Sequence, residues 1–323
     1  MSIANQREVK AEPEPIFDVV SPGLMTTIQD LGRAGHRAFG VPPCGAMDRF
    51  ALAAANRLVG NIESAPALEC ALTGPALLTR RPCLVAITGG DFTPAVNGNE
   101  IPSWTGIYLA EGDRLSFGPR RSGARVYVAV AGGFSGQRWL GSASTYLLIG
   151  RGGHEGRTLK AGDRLLVAGP GARPLVAGRH AARRLRPHYG PEPVLDAVPG
   201  PHHGRLTGPS RAALFRAKFE VTREADRMGY RLRGPDLEVT GRELISLGLT
   251  MGAVQLPPGG QPILLMADHQ TAGGYPIILG VSRSSLPLAA QLLPGDHLSF
   301  RQVTVTDAQQ AWRELRGALD QID

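Results

Sequence analysis

Between residues 251 and 280 the chain reads MGAVQLPPGGQPILLMADHQTAGGYPIILG, and no helix can run through it. Pro257 and Pro258 fix φ and remove two backbone donors, while Gly259 and Gly260 open φ > 0, so the chain must reverse. Residues 253–256, ahead of this turn, are short and apolar; residues 263–266, behind it, are a continuous apolar run suited to a strand covered on both faces. A polar cluster of Asp268, His269, Gln270 and Thr271 follows, then Gly273, Gly274, Tyr275 and Pro276. Binding residues concentrate on loops held by rigid strands, and paired glycines let a backbone approach a ligand closely. The alternative is a polar hairpin loop that caps its own backbone.

The rest of the chain repeats this alternation of short apolar runs and breakers. Residues 16–20 read as the first strand, and residues 84–88, 107–110, 114–117 and 125–130 as strands broken by Gly, Pro, Asn and Asp. That spacing suggests a barrel or sandwich. Strands resume at Leu237 and end with residues 297–305. Three helices interrupt them. Asp48 caps residues 49–59, with Gly60 as terminator; Ser210 caps a short helix through Phe219; and residues 306–322 form an amphipathic helix. Thr306 with Gln309 reads as its capping box, and Ala308, Ala311, Trp312, Leu315 and Leu319 make a stripe to pack on a barrel or, alternatively, to meet a partner. There is also an internal echo: EGDRLSF (111–117), KAGDRLLV (160–167) and PGDHLSF (294–300) place Gly-Asp before a strand, and GPAL (74–77) resembles GPDL (234–237). The plan is a mainly β chain of two related halves with a few short helices. A disordered leader covers residues 1–15, an N-terminal β-rich domain 16–185, a C-terminal β domain 186–305 and a last helix 306–323, with a proline-rich boundary at 186–200.

Composition narrows the function classes. A chain of 323 residues, 42% hydrophobic, can bury a sizeable core, and no apolar run approaches a membrane span. The first 15 residues lack the apolar core of a signal peptide. Cys44, Cys70 and Cys83 cannot all pair and form no CxxC, which fits a reduced, cytoplasmic protein. The net charge of +7 comes almost wholly from scattered arginine, since Lys10, Lys160 and Lys218 are the only lysines. Its densest stretch, RHAARRLRP (179–187), reads as a basic linker, so no nucleic acid is expected. No P-loop, strand–GxGxxG–helix unit, HExxH, GxSxG or biotin-attachment MKM occurs, and His202 and His203 are adjacent rather than on one helical face. No metal is expected, and nucleotide or carrier chemistry must come from another polypeptide.

Two further segments bear on function. Residues 21–48 are dense in Gly and Pro yet hold Gln29, Asp30, Arg33, His36 and Asp48. So long and irregular a segment is uncommon unless functional or packed under another element. Asp30 and Arg33 either pair with each other or meet a substrate. Residues 141–156 offer Ser142, Ser144 and Thr145, then Gly150, Gly152, Gly153 and Gly156, which form an anion nest or a glycine-rich surface turn.

Six ordered blocks carry a resemblance: PGLMTTIQDLGRAGHRAFGVPPCGAMD, AANRLVGN, LGSASTYLLIGRGGHEGRTLKAGDRL, DRMGYRLRGP, GAVQLPPGGQPILLMADHQTAGGYP and AQLLPGDHLSF. Together, from about residue 16 to 300, they resemble the family of the 5-oxoprolinase C subunit, also called allophanate hydrolase subunit 2 or the biotin-dependent carboxyltransferase family. The resemblance implies two cyclophilin-like β-barrel domains. It implies a hetero-oligomer with a small B-type chain and an A-type chain, a 5-oxoprolinase that opens 5-oxo-L-proline to L-glutamate with ATP bound through the complex. The related urea enzymes transfer a carboxyl group from carboxybiotin to a urea nitrogen, with biotin on a partner chain, and the family also includes a non-enzymatic antagonist of a sporulation-kinase inhibitor. The first of these three readings is favoured over the second because the chain is not fused to carrier segments, and over the third because the polar loops are complete. Family motifs fall on Gln29, Asp30, Arg33, Asp48, Gln255, Asp268, Gln270, Thr271, Tyr275 and Gln291. Their implied roles make Asp268 the acceptor of the substrate N–H or a base, with Gln255 and Gln270 reading carbonyl and amide. Arg33 holds a carboxylate or phosphorylated intermediate and Asp30 orients it. Three positions depart from the family pattern: Tyr146 and Ser285 stand where Asp is frequent, and His269 where the residue is usually small.

Overall fold

A computed structural model describes residues 15–169, 177–241 and 244–322, so residues 1–14 of the expected leader lie outside it. Aliphatic and β-branched runs form the strands, as their period requires. In the N-terminal half, one six-stranded sheet runs Arg164–Leu165, Phe17–Ser21, Ala76–Thr79, Arg114–Phe117, Pro94–Val96, Asn99–Glu100. A five-stranded sheet runs Met25–Gln29, Ala67–Ala71, Ser122–Val130, Cys83–Asp91, Gly106–Leu109. Phe17, Leu77 and Leu115 from the first sheet and Ile28, Leu68, Val85 and Val126 from the second share one core. In the C-terminal half seven strands close a barrel: Val194–Pro199, Ile277–Val281, Ala253–Gln255, Ile263–Leu265, Gly229–Arg233, Phe219–Val221 and His297–Gln302. The closing contact is parallel, Val194 against Ser299 through Ala197 against Gln302. The expected mainly β architecture thus holds with one closed barrel; the N-terminal strands are laid out as two sheets.

The Pro257–Gly260 reversal does join Ala253–Gln255 to Ile263–Leu265, which pair antiparallel. Elsewhere the boundaries move. The Val194–Pro199 strand lies inside the stretch read as a proline-rich linker, because its Leu195 and Ala197 are fully buried in the barrel core. The basic stretch beside it is no linker either. Ala181 is buried with the first helix, and Arg186 donates to Ala181 O at 2.7 Å with its guanidinium 6.0 Å from the Trp104 ring centroid.

Helix α1 (Arg49–Leu58) is capped as expected, Ala51 N donating to Asp48 Oδ1 at 2.9 Å. Helix α2 (Gly208–Arg216) starts earlier than expected: Thr207 is its cap, and Ser210 is the first-turn residue that donates to it. Helix α3 (Leu286–Ala289) is a single turn. Helix α4 (Val305–Asp320) is capped by Thr304 with Asp307, not by Thr306 with Gln309. A carboxylate at the third position both closes the box and faces the positive helix end, which an amide does less well. Helix α4 then lies back on α1. Arg57 pairs with Asp320 at 2.6 Å, Arg316 pairs with Glu63 at 2.7 Å, and Ala318 and Leu319 enter the core that holds Ala51, Ala54 and Leu58. Among the described residues no helix is long and apolar enough to cross a membrane.

The Gly-Asp echo is a shared turn. Asp113, Asp163 and Asp296 each accept the backbone N–H three residues earlier, from Ala110, Lys160 and Leu293, at 2.7, 2.7 and 2.8 Å. The glycine before each aspartate has φ of 86°, 89° or 93° and donates its N–H to a neighbouring segment, at Thr79, Val19 or Val221. A positive φ followed by a side chain that ties the turn explains why the dipeptide recurs. At the second copy, hydrogen bonds from Arg157 lead the causes that hold the Asp163 carboxyl down to about 2. Its stabilisation is present above the ordinary aspartate value and is lost as the pH falls through about 2. Asp163→Asn is therefore expected to cost about 1–2 kcal/mol near neutral pH, after screening at this partly exposed site, and close to nothing near pH ~2. Urea unfolding at both pH values checks this; an equal cost at each would remove the ionic part of the account.

Candidate functional site

The irregular segment after Met25–Gln29 is a loop stitched to itself. Arg33 N donates to Pro43 O at 2.8 Å and Ala46 N donates to Asp30 O at 2.9 Å. Its two limbs meet backbone to backbone: a Cβ on Gly45 would stand 2.7 Å from Gly32 N, and one on Gly32 would stand 2.5 Å from Pro43 O. Only glycine permits that approach.

Asp30 is the clamp that ties this loop to residues 142–144. Its Oδ1 accepts from Gly32 N at 2.7 Å and from the Ser142 and Ser144 hydroxyls at 2.6 Å each, and its Oδ2 accepts from Ala143 N at 2.7 Å. None of these donors belongs to Arg33, so the expected Asp30–Arg33 pair is not formed. Four nearer donors have filled the carboxylate, which leaves it a structural anchor rather than a free catalytic group. Arg33 turns elsewhere. It donates from Nη2 to Ser144 O at 2.6 Å, and its guanidinium stands 4.9 Å from the Trp139 ring centroid. The residue is only 2% exposed, yet Nε and Nη1 have no partner. A buried guanidinium edge left unmatched is costly, so these two donors suit an anionic ligand group.

A second constellation crosses between the halves. Arg227, from the barrel half, donates from Nε to Asp268 Oδ2 at 2.8 Å and from Nη2 to Asp268 Oδ1 at 3.1 Å. It also reaches Glu69 Oε1 on the five-stranded sheet and donates to Gly45 O at 2.6 Å. Burial pulls the Arg227 guanidinium down, and the Asp268 and Glu69 charges more than offset it, so its pKa lies above the ordinary value. Glu69 Oε2 accepts from Met47 N at 2.8 Å and Tyr127 OH at 2.7 Å, and Tyr127 OH in turn accepts from Asp48 N at 2.8 Å. Asp48 Oδ2 accepts from Tyr189 OH at 2.7 Å and Gln291 Nε2 at 3.0 Å, while Gln291 Oε1 takes Ala124 N and Arg125 N. Asp48 and Gln291, both on family motifs and expected to bind substrate on that resemblance, thus serve each other and the start of α1. Asp268 has both oxygens on Arg227, which places it as a fixed acceptor in the seam.

The remaining sequence candidates divide. Gln255 is 1% exposed; it accepts from Gln270 Nε2 at 3.2 Å, and its own Nε2 has no partner. Gln29 donates to Thr27 Oγ1 and Thr145 O, each at 3.1 Å, and leaves Oε1 unmatched. Thr271 contributes a backbone carbonyl to Leu249 N at 2.9 Å. Tyr275 is 46% exposed and lies with Leu237, Val239 and Pro257 in a separate groove, so it is not brought to Asp268. Of the departures, Tyr146 borders a cavity of about 380 Å³ that also touches Asp268, Arg227 and Glu69, with Leu147, Leu148 and Met228 among the other residues around it. His269 is buried, its Nδ1 donates to Gln270 O at 2.7 Å, and burial pushes its pKa down, which favours the neutral ring. Ser285 serves the barrel, accepting from Asp196 N at 3.0 Å. Cys44 lies within electrostatic reach of Asp268 and Arg33, but burial, then the Asp268 charge, pushes its thiol up to about 12, which disfavours the thiolate.

Sequence reasoning missed Glu69, Arg227, Tyr127 and Trp139. Glu69 had a signal, being the one charge in the apolar strand ALECA, and Arg227 stands inside the block DRMGYRLRGP. Among the described residues no group of three or more His, Cys, Asp or Glu is placed to hold a metal ion.

Comparison with known proteins fits this geometry into a family. The carboxyltransferase domain family, subdomains A and B, matches residues 39–302. The chain is 38% identical over 310 residues to the C subunit of 5-oxoprolinase from Escherichia coli (strain K12), covering 95% of this chain and 97% of that one. It is 31% identical over 331 residues to the urea amidolyase of Lachancea kluyveri, covering 95% of this chain but 18% of that protein. The crystal structure of the K. lactis urea amidolyase superposes with a TM-score of 0.90 at 29% identity, over 97% of this chain and 20% of that one. The chain therefore spans nearly all of the first relative and about a fifth of the urea amidolyases.

The seam makes a direct prediction. Arg227→Met leaves Asp268 without its cation and Glu69 with only Arg125, 4.0 Å away, and is expected to lose roughly 3–5 kcal/mol. Adding Asp268→Asn to the same chain should restore most of it, because Glu69 then faces Arg125 alone and no uncompensated charge remains. Denaturant midpoints of the two variants decide; a double variant no more stable than the single one would mean that charge balance is not what holds the seam.

Proposed function

On the premise that this chain belongs to the family of carboxyltransferase domains with subdomains A and B, we propose that it is the C-type member of a complex that opens 5-oxo-L-proline to L-glutamate with ATP. Family membership makes it an enzyme domain of carboxyltransferase or hydrolase type. The observation that carries the finer reading is that Arg33 Nε and Nη1 and Gln255 Nε2 are among the buried donors left unmatched. A five-membered lactam with a carboxylate offers one anionic fork and one ring carbonyl, and these donors answer both. Near-complete coverage of a 5-oxoprolinase C-type chain supports the same choice.

In this reading Arg33 grips the substrate carboxylate, stiffened by Trp139 and by Ser144 O. Gln255 Nε2 polarises the ring carbonyl. Asp268, immobilised by Arg227, accepts the lactam N–H with its remaining lone pairs and holds the C–N bond in orientation. His269, neutral and fixed on Gln270 O, stands beside Asp268 and excludes water. The donor set fits a carboxylate and a carbonyl. The sequence holds no P-loop motif, so we assign ATP to the partner chains, one A-like and one small and B-like. The second reading is carboxyl transfer to a urea-like amide with biotin on a partner chain; likeness to the urea amidolyases over nearly the whole chain favours it.

Native co-purification with mass spectrometry of the partners separates the two. We expect small partners without biotinyl-lysine and a complex that hydrolyses ATP in the presence of 5-oxoproline, the lone chain being inactive; a biotinylated partner with urea-dependent turnover would overturn the assignment. In the active complex Arg33→Gln should raise KM for 5-oxoproline roughly 10–100-fold, the weight of one charge-assisted contact, and leave 2-pyrrolidinone, which lacks the carboxylate, unaffected. Equal effects on both compounds would remove Arg33 from carboxylate binding.

A further inference from the structure

A second cavity, of about 310 Å³, opens between α1, α3 and α4, away from Asp268 and Arg227. Met47, Phe50, Leu286, Leu319 and Trp312 give it an apolar lining. Three arginines face it, Arg49, Arg283 and Arg316, against one carboxylate, Glu63. Glu63 is already taken: Oε1 accepts from Arg57 Nε at 2.9 Å and Arg316 Nη2 at 3.1 Å, and Oε2 from Arg316 Nη1 at 2.7 Å. Arg316 is thereby matched, and the other two are not. Arg49 donates to Cys44 O at 3.2 Å and forms no ion pair among the described residues. Arg283 is exposed, 5.9 Å from the Trp312 ring centroid, with no hydrogen bond or ion pair among the described residues. Arg49 is an exposed residue like Arg283; local desolvation, then the Arg283 charge, lowers its guanidinium from the ordinary value, and the Asp30 charge opposes this. Asp30, whose charge Arg49 also feels, has its lone pairs filled by four other donors.

We propose that this cavity is a binding site for a small organic anion, a carboxylate on an apolar body, with Arg49 and Arg283 holding the carboxylate and Met47, Phe50 and Trp312 covering the body. Two forked cations at one end of an apolar hollow read that shape and no neutral one. The hollow also runs on. Thr250, Met251, Arg283 and Trp312 line a neighbouring groove of about 640 Å³ between α4 and the barrel, so an extended body has room. The proposal does not depend on the reaction at the seam, since the two cavities share no lining residue.

Octanoate and its neutral isostere octanamide are suitable probes, titrated into the full chain and followed by calorimetry and by tryptophan fluorescence, with Trp312→Phe to assign the signal. Octanoate is expected to bind at least roughly tenfold more tightly than octanamide, with Trp312 as reporter, and Arg283→Gln and Arg49→Gln each to weaken octanoate roughly tenfold while leaving octanamide unchanged. Arg283→Lys, which keeps the charge and loses the fork, should fall between. Equal binding of the two probes, octanoate binding indifferent to either substitution, or no binding of octanoate at millimolar concentration would each overturn the proposal. Unchanged unfolding midpoints confirm that the variants are folded, as expected for two exposed positions.

Discussion

Arg227 is the interaction on which the seam depends. One guanidinium from the barrel half holds Asp268 of its own half and Glu69 of the other, and closes on the carbonyl of Gly45. Removing two carboxylates and a guanidinium from water is expensive, and such a group persists only with its hydrogen bonds filled. Here they are filled, with Arg125 adding a second positive charge 4.0 Å from Glu69. Because the geometry must be met from both sides at once, the ion cluster fixes how the sheets and the barrel register, and it fixes the floor of the cavity beside Asp268.

From Glu69 the order propagates through side chains that take backbone N–H groups. Tyr127 accepts from the backbone at Asp48, Asp48 caps α1, and Gln291 ties that cap to the Ser122–Val130 strand. A chain of this kind makes the start of α1 an extension of the seam. It also explains why several polar residues that resemble substrate contacts in the sequence are occupied by one another. Among the groups left unmatched, those on Arg33, Gln255 and Gln29 are then the informative ones, since they lie on loops and strands that the sequence marks for function.

Local chemistry was legible where local physics decides it. The strand Arg114–Phe117 and the reversal at residues 257–260 follow from period and from proline and glycine, and Asp48 was readable as a cap. Barrel closure was not, because it rests on parallel pairing of Val194–Pro199 with His297–Gln302, a hundred residues apart, and the first of these looks like a linker. Asp30 and Arg33 sit three apart and read as a pair; donors some 112 residues away, at Ser142 and Ser144, won the carboxylate. Glu69 and Arg227 were visible as residues but not as partners, since 158 positions separate them. The turn at Asp113, Asp163 and Asp296 lies between these extremes, a repeat seen in the letters whose meaning is one hydrogen bond made three times.

The packing of α4 on α1 has a consequence for how the molecule can open. The final helix shares a core with the first, and salt links at Arg57–Asp320 and Arg316–Glu63 lock the two. Peeling either away would uncover the other, so neither is free to fray as an independent unit. The chain is closed like a ring whose clasp is distant in sequence from the Arg227 rivet, and the two fastenings make the halves one cooperative body. Amide protons in α1 and in the last turn of α4, where Ala318 and Leu319 are buried, would then exchange with solvent more slowly than those at the exposed start of α4.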